Sequence, residues 1–163
     1  MAIKKKAIYA GTFDPFTLGH QDILNKSLEV FDEVILLVAK SSAKHCLFSS
    51  DERVQILKKL FQKDSRVQVA SYEGLVVEFA KLKKIKTLIR GLRPTGDFEM
   101  EFQMAAMNKK ISNNIETVFF MTGENFYYVS SSLIKEVYKN GGDISSFIPK
   151  LVYQALKKVK GRL

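Results

Sequence analysis

The sequence predicts an α/β protein: a single domain built on a doubly wound, parallel sheet of five strands with helices on both faces. Short apolar segments alternate with segments of helical periodicity along the chain, which is typical of this class. Residues 34–39 are apolar at every position, as expected of a parallel strand that is buried on both faces. The length of 163 residues suits one domain with a sizeable core.

Each predicted element follows from a local pattern of apolar residues. The strands are short apolar segments, expected at residues 7–10, 34–39, 67–72, 87–89 and 118–121. The helices carry apolar residues at helical spacing. The first begins after Gly19 and carries these residues over 23–31, and the others are expected at residues 50–61, 75–82, 97–111, 130–138 and 149–159. Ser50 or Asp51 is expected to cap the second helix, and Pro149 is expected at the first helical position of the last helix.

Composition and charge narrow the class of protein. The chain carries 26 basic and 17 acidic residues, and its net charge of +9 is compatible with nucleic acid, a membrane surface or small anionic substrates. The basic residues fall in separate runs, so most of them are expected on solvated faces. Cys46 is the only cysteine, which favours a reducing, cytoplasmic setting. No apolar run approaches the roughly 20 residues of a membrane helix, and no signal peptide is expected.

The loop after the first strand carries the strongest chemical signal. Residues 11–20 are Gly-Thr-Phe-Asp-Pro-Phe-Thr-Leu-Gly-His, which is neither the dinucleotide pattern G-x-G-x-x-G nor a P-loop. Gly19 is expected just before a helix and His20 in its first turn, where backbone N–H groups can approach a phosphate. The segment Thr-x-Gly-His after a first strand resembles the nucleotidyltransferase form of the H-x-G-H signature. A purely structural role for His20 is the alternative.

Two more segments are expected at the same edge of the sheet. Arg90 and Arg93 follow an apolar strand, and a guanidinium group matches phosphate geometry well. The serines at 130–132 open a helix, where hydroxyl and N–H groups can hold an anion, although an ordinary N-cap is the alternative. Because the carboxyl ends of parallel strands meet at one edge, the three segments together predict a site for several phosphates.

The predicted helix at residues 97–111 has two apolar faces. Phe98, Phe102 and Ala105 share one face, and Met100, Met104, Met107 and Ile111 lie on nearly the opposite one. A surface helix needs only one apolar face. Either both faces are covered by the chain itself, or the methionine face forms a subunit interface, for which methionine is well suited. We expect an oligomer.

Together these segments resemble the phosphopantetheine adenylyltransferase family. The resemblance spans essentially the whole chain and rests on residues 11–20, on 88–93 with Asp97-Phe98-Glu99, and on 130–136. It implies a Rossmann-like nucleotidyltransferase domain over residues 1–163 with a C-terminal helix. It also implies transfer of AMP from ATP to 4′-phosphopantetheine with Mg²⁺, in coenzyme A biosynthesis, by a homo-oligomer that is usually a hexamer. The sequence departs from the usual family pattern at Ala10, Phe16, Leu18 and Phe126.

The resemblance also assigns roles to particular residues. The catalytic groups would be His20, Lys44 and Arg93. The phosphopantetheine site would contain Thr12, Lys44, Val76 and Arg90. The ATP site would contain Thr12, Phe13, His20, Gly91, Leu92, Arg93, Glu101, Phe126, Tyr127, Tyr128, Val129, Ser130, Ser131 and Ser132. No protein metal ligand is expected, because Mg²⁺ can be held largely by phosphates and water.

Other functions are compatible with parts of this pattern. A sister transferase could use another phosphorylated acceptor, such as glycerol phosphate or nicotinate mononucleotide, although Lys44 and the Arg90–Arg93 segment argue against it. A basic nucleic-acid-binding module would show affinity that falls steeply with salt, but no RNA-binding motif is visible. A class I tRNA synthetase would need further modules that this chain is too short to hold.

Overall fold

A five-stranded sheet organises the residues that the computed structural model describes, which are 4–40, 46–94 and 97–162. The strands are β1 (Lys6–Gly11), β2 (Glu33–Lys40), β3 (Val67–Glu73), β4 (Thr87–Leu92) and β5 (Glu116–Met121). They are all parallel and lie in the order β3-β2-β1-β4-β5. The predicted α/β class and the doubly wound parallel sheet of a single domain are confirmed.

Helices connect the strands and complete the described chain. They are α1 (Leu18–Val30), α2 (Ser50–Leu60), α3 (Val76–Lys83), α4 (Asp97–Ile111), α5 (Ser131–Lys139) and α6 (Lys150–Lys158). Two short 3₁₀ turns, Glu124–Phe126 and Lys160–Arg162, follow β5 and α6. The predicted helices are present: α4 has the predicted bounds, and the ends of α2, α3, α5 and α6 differ from the prediction by at most one residue.

Capping explains where the prediction of helix starts was wrong. Ser49, one residue before the expected cap, accepts a hydrogen bond from Glu52 N–H at 3.1 Å, and the Glu52 carboxylate accepts one from Ser49 N–H at 2.7 Å. Pro149 is the N-cap of α6, because its ψ of 144° is extended rather than helical. Gly19 lies inside α1, which begins at Leu18, and Thr17 is the N-cap.

Helices cover the two faces of the sheet with separate apolar cores. On one face, β1 and β2 contribute Ala7, Tyr9, Val34, Leu36 and Val38, which pack with residues of α1, α2, α5 and α6. On the other face, the alternate residues Ile8, Ala10, Ile35 and Leu37 pack with residues of α3 and the segments after α3 and α4. Each of these strand positions is buried, which accounts for the continuous apolar run of β2.

Helix α4 leaves both of its apolar faces exposed. Phe98 and Phe102 are 57% and 56% exposed, and Met104 and Met107 are 54% and 59% exposed. The side that turns inward carries Glu101, Ala105 and Asn108 instead. The expectation that the chain itself covers both faces is therefore wrong for this helix, and an interface between subunits stays a prediction.

The strand order places a crevice at the centre of the sheet. β1 pairs with β2 on one side and with β4 on the other, so the connections leaving β1 and β4 diverge at their carboxyl ends. Open α/β sheets bind ligands at such a switch point. Most of the basic residues lie elsewhere: the runs at 81–86 and 157–162 are exposed, as expected of solvated faces. Within the described ranges, none of the helices has the length and apolar character needed to cross a membrane.

Candidate active site

A cavity of about 720 Å³ lies at the carboxyl ends of β1 and β4. Its walls come from the loop after β1, the end of β4, the first turn of α1 and the first turn of α5. The volume falls within the roughly 300–1,000 Å³ of small-molecule sites. The three segments that the sequence predicted as anion sites therefore converge on one space.

The first turn of α1 fixes the orientation of His20. The imidazole Nδ1 accepts a hydrogen bond from Thr17 N–H at 3.0 Å and lies 3.0 Å from Thr17 Oγ1, which itself accepts from His20 N–H at 3.3 Å. This capping box uses a histidine where glutamate is usual. Because Nδ1 accepts a backbone hydrogen bond, the proton of the neutral ring is on Nε2. The cavity is therefore lined by a neutral N–H donor that cannot rotate freely.

The surroundings of His20 keep the ring neutral. Burial, together with the nearby positive charges of Arg93 and Arg90, lowers the pKa of His20 to about 4, and burial is the largest of these causes. The ring also packs against Phe13 and Phe16, with centroid distances of 5.2 and 5.4 Å. Both aromatic neighbours are buried, which explains the desolvation of the imidazole.

Phe13 shapes the floor of the cavity through an unusual backbone conformation. Its φ of 52° lies in the left-handed region, which costs a non-glycine residue of order 1–2 kcal/mol. The ring lies directly over Gly11, where an added Cβ would come within 2.9 Å of it. Contacts with Tyr9 and Phe16 hold the ring in this place. Glycine is therefore required at position 11 for the loop to turn back over the strand.

Arg90 is held at the cavity wall by two neighbours. Its Nε and Nη2 donate to the two carboxylate oxygens of Glu101 in a bidentate pair, and its Nη1 donates to the carbonyl of Ala10 at 2.8 Å. The guanidinium is thus fixed between β1 and α4. Arg93 lines the same cavity, and its charge acts on His20.

The start of α5 supplies hydroxyl groups to the opposite wall. Ser130 is the N-cap, and its Oγ accepts from Leu133 N–H at 3.1 Å. Ser131 Oγ donates to the carbonyl of Pro15 at 2.8 Å. Ser132 also lines the cavity. The ordinary N-cap alternative is therefore correct for Ser130, and it is compatible with an anion site, because the first turn of a helix has N–H groups without intrahelical partners.

The structure brings most of the predicted site residues together. Those that line the cavity are Thr12, Phe13, His20, Val76, Arg90, Gly91, Arg93, Glu101, Val129, Ser130, Ser131 and Ser132. Those that do not line it are Leu92, Phe126, Tyr127 and Tyr128. The carbonyl of Leu92 accepts a hydrogen bond from the Thr122 hydroxyl, and the Tyr128 ring packs against Phe147. Lys44 lies outside the described residues. The roles of all these residues toward ATP or an acceptor stay predictions.

Sequence reasoning missed several residues of the cavity wall. Among them are Tyr9, Asp14, Ala39, Cys46 and Lys135. Burial raises the pKa of Tyr9 well above its usual value, so its hydroxyl keeps its proton. Lys135 could have been found from its spacing, because it lies one helical turn after Ser131 and so shares its face of α5.

Acidic residues near the cavity are engaged by protein donors. Glu101 binds Arg90, Asp22 accepts from Gly123 N–H at 2.8 Å, and Asp14 accepts from two backbone N–H groups and Lys135. Over the ranges 4–40, 46–94 and 97–162, no group of three or more metal-ligating side chains is present. These residues suit a metal ion that is held mainly by phosphate oxygens and water.

Residues 8–137 match the Cytidylyltransferase-like family, which places this doubly wound sheet among the nucleotidyltransferase-like proteins. The fold is also similar to that of a Vibrio parahaemolyticus protein solved as a candidate nicotinate-nucleotide adenylyltransferase. That similarity has a TM-score of 0.70 at 23% identity and covers 98% of this chain and 96% of that chain.

Similar sequences narrow this class to one family. A phosphopantetheine adenylyltransferase of Desulfitobacterium hafniense is 50% identical over 152 residues, which is 93% of each chain. One of Geobacter metallireducens is 46% identical over 154 residues, 94% of each chain. The chain belongs to the phosphopantetheine adenylyltransferase family.

Proposed function

We propose that this protein transfers AMP from ATP to 4′-phosphopantetheine, giving dephospho-coenzyme A and pyrophosphate. The observation that carries the proposal is the convergence of His20, the Arg90–Arg93 segment and the start of α5 on one cavity. Relatives at 41–50% identity that are named phosphopantetheine adenylyltransferase support this choice of acceptor over nicotinate mononucleotide or glycerol phosphate. Similarity to the candidate nicotinate-nucleotide enzyme supports the fold alone.

The proposed reaction needs no nucleophile from the protein. A phosphate oxygen of the acceptor attacks the α-phosphorus of ATP, a new P–O bond forms, and the bond from that phosphorus to the pyrophosphate oxygen breaks. Because both reactants are anions, the protein must hold them in line and stabilise the charge that develops on the five-coordinate phosphorus. His20 would donate from Nε2, Arg93 and Lys44 would supply positive charge, and Arg90 would bind the acceptor phosphate.

The remaining family properties are proposals on the same footing. Mg²⁺ would screen the triphosphate, with the protein contributing few direct ligands because the nearby carboxylates already have donors. The exposed apolar faces of α4 support assembly into a homo-oligomer, for which a hexamer is the family expectation. A cytoplasmic location follows from the biosynthetic role.

The decisive experiment measures pyrophosphate release from ATP and Mg²⁺ with one acceptor at a time. We expect release with 4′-phosphopantetheine and only background with nicotinate mononucleotide, glycerol 3-phosphate or buffer. Pantetheine, which lacks the attacking phosphate, is the matched control and should be inert. Release with a different acceptor would contradict the proposal, and so would hydrolysis of ATP without any acceptor.

A further inference from the structure

One buried carboxylate joins three walls of the cavity. Asp14, in the loop after β1, is only 3% exposed. Its oxygens accept hydrogen bonds from Leu47 N–H at 2.8 Å, Phe48 N–H at 2.9 Å and Lys135 Nζ at 2.9 Å. These donors come from the segment before α2 and from α5, which are 33 to 121 residues away along the chain. Asp14 therefore links segments that are far apart in the sequence.

Each of the three connected segments carries part of the site. The loop of Asp14 contains Thr12 and Phe13, the segment of Leu47 follows Cys46, and the helix of Lys135 begins with the serines at 130–132. Thr12, Phe13, Cys46 and the three serines line the cavity. Under the proposed function, Thr12 in the loop of Asp14 would contact both substrates. The segment of Leu47 follows Lys44, which is expected on the acceptor side, and the start of α5 belongs to the nucleotide side.

Neighbouring contacts strengthen the same junction. Arg53, 4% exposed, donates from Nη1 to the carbonyl of Thr12 at 2.6 Å and from Nε to the carbonyl of Phe48 at 3.2 Å. Ser131 Oγ donates to the carbonyl of Pro15. These bonds hold the backbone on either side of Asp14, and the Asp14 carboxylate contacts both partner segments. Lys135 lines the cavity, forms an ion pair with that buried charge at 2.9 Å, and has 26% of its side chain exposed.

We propose that Asp14 and Lys135 form a positioning pair that sets the distance between the acceptor side and the nucleotide side of the site. The inference rests on the proposed function for its kinetic consequence. Without Lys135, the buried carboxylate keeps only its backbone donors and must move toward water, because an unpaired buried charge is costly. The loop of Thr12 would then shift relative to α5. A misplacement of about 1 Å between reactants can reduce turnover by on the order of 100-fold without weakening either half of the site.

The kinetic test compares four proteins: wild type, Lys135→Gln, Lys135→Arg and the control Lys139→Gln. Lys139 lies one turn further along α5 and is exposed, so its variant should behave as wild type. We expect Lys135→Gln to lower kcat by about 10- to 100-fold while the separate Kd values for ATP and 4′-phosphopantetheine change less than about threefold. Lys135→Arg should restore most of kcat, because it keeps the charge at the carboxylate.

A second variant tests whether Lys135 acts through Asp14. The effects of Asp14→Asn and Lys135→Gln on kcat should not add in the double variant, because each breaks the same contact. Additive effects would overturn the proposal. So would a Lys135→Gln protein with wild-type kcat, or one whose only defect is ATP binding weakened by more than about tenfold, since Lys135 would then bind nucleotide directly. If Asp14→Asn does not fold, the Lys135 comparisons still decide.

Hydrogen exchange separates failure of this inference from failure of the proposed function. We expect the amides of Leu47 and Phe48 to exchange at least about tenfold faster in Lys135→Gln than in wild type or Lys139→Gln, because their acceptor has moved. Unchanged exchange would overturn the pair whatever reaction the protein catalyses. Faster exchange in a protein whose wild type releases no pyrophosphate would leave the pair intact and overturn the proposed function instead.

Discussion

At the scale of single residues, His20 combines a fixed orientation with a neutral ring. Thr17 N–H holds Nδ1, so Nε2 is left as the donor, and the aromatic neighbours remove water from the ring. A donor of this kind gains most from charge that appears only in the transition state. Its contribution should therefore appear in turnover rather than in the affinity for the ground-state substrate.

Replacing His20 by alanine should test that contribution directly. We expect kcat to fall by about 10²–10³-fold, equivalent to ~2.7–4 kcal/mol of transition-state stabilisation, with little change in ATP affinity. Steady-state kinetics together with ATP binding to the same variant would measure both quantities. A folded His20→Ala protein with wild-type turnover would contradict the assignment.

The low pKa of His20 should also make the free energy of unfolding depend on pH. The pKa of His20 is about 4 in the folded protein because of burial and the two arginines, whereas an unfolded histidine titrates near about 6.5. Between these values the unfolded chain binds more protons. The free energy of unfolding should therefore fall as the pH is lowered from 6.5 to 4, by up to about 1.4 kcal/mol per pH unit. Above that window this group should contribute no slope.

Denaturant unfolding at several pH values would check this, with His20→Gln as the comparison. The variant removes the titrating ring, so its stability should depend less on pH than that of wild type between pH 4 and 6.5. Identical pH dependence in the two proteins would show that the histidine titrates normally when folded.

Residue patterns in the sequence predicted only part of this site. His20 was found because its loop follows a strand and opens a helix, a local pattern in ten consecutive residues. Lys135 was not placed at Asp14, because their contact spans 121 residues and depends on how α5 docks against the loop after β1. Residues 126–128 were expected at the cavity from the resemblance alone, and they do not line it; Phe126 packs against the apolar core and Tyr128 against Phe147.

At the scale of elements, periodicity located the strands and helices, and capping decided their ends. β2 was recognisable because both of its faces are buried. Helix starts were less predictable, since Ser49, Ser50 and Asp51 are all good caps and only the hydrogen bonds to Glu52 choose among them. The sequence did not predict how closely α1 approaches β4. The close approach depends on Gly91 of β4, which packs against Ile23 of α1.

Gly91→Ala should disturb that approach. A Cβ at this position would lie 2.9 Å from Ile23 Cγ1, which is buried and belongs to the helix that carries His20 in its first turn. We expect the free energy of unfolding to fall by about 1–3 kcal/mol, as in overpacked cores, and kcat to fall because α1 must shift. Thermal unfolding and turnover would be measured on the same preparations.

The matched control is Gly161→Ala, since an added Cβ there meets nothing within 4 Å. It should leave both stability and turnover close to wild type. A Gly91→Ala protein as stable as this control would mean that α1 and β4 adjust without strain.

At the scale of the whole molecule, the alternation of strands and helices predicted the class of fold, and the strand order explains where the site lies. The order β3-β2-β1-β4-β5 brings the loops after β1 and β4 together, although about 80 residues separate Gly11 from Leu92 in the sequence. What the sequence left open was the partner of α4. Its two apolar faces remain exposed in the single chain, and so many exposed large apolar side chains on one helix favour an interaction site.

Met104→Glu should therefore reduce assembly. The charge would be buried against the partner subunit if α4 forms the interface, and an unpaired buried carboxylate is strongly unfavourable. We expect wild type to elute as an oligomer in size-exclusion chromatography with light scattering, and Met104→Glu to dissociate to smaller species.

Val30→Glu is the control, because Val30 is similarly exposed at 53% but lies at the end of α1, on the opposite face of the sheet. An oligomer that survives Met104→Glu but not Val30→Glu would place the interface on that opposite face, and a monomeric wild type would leave the apolar faces of α4 to a different partner.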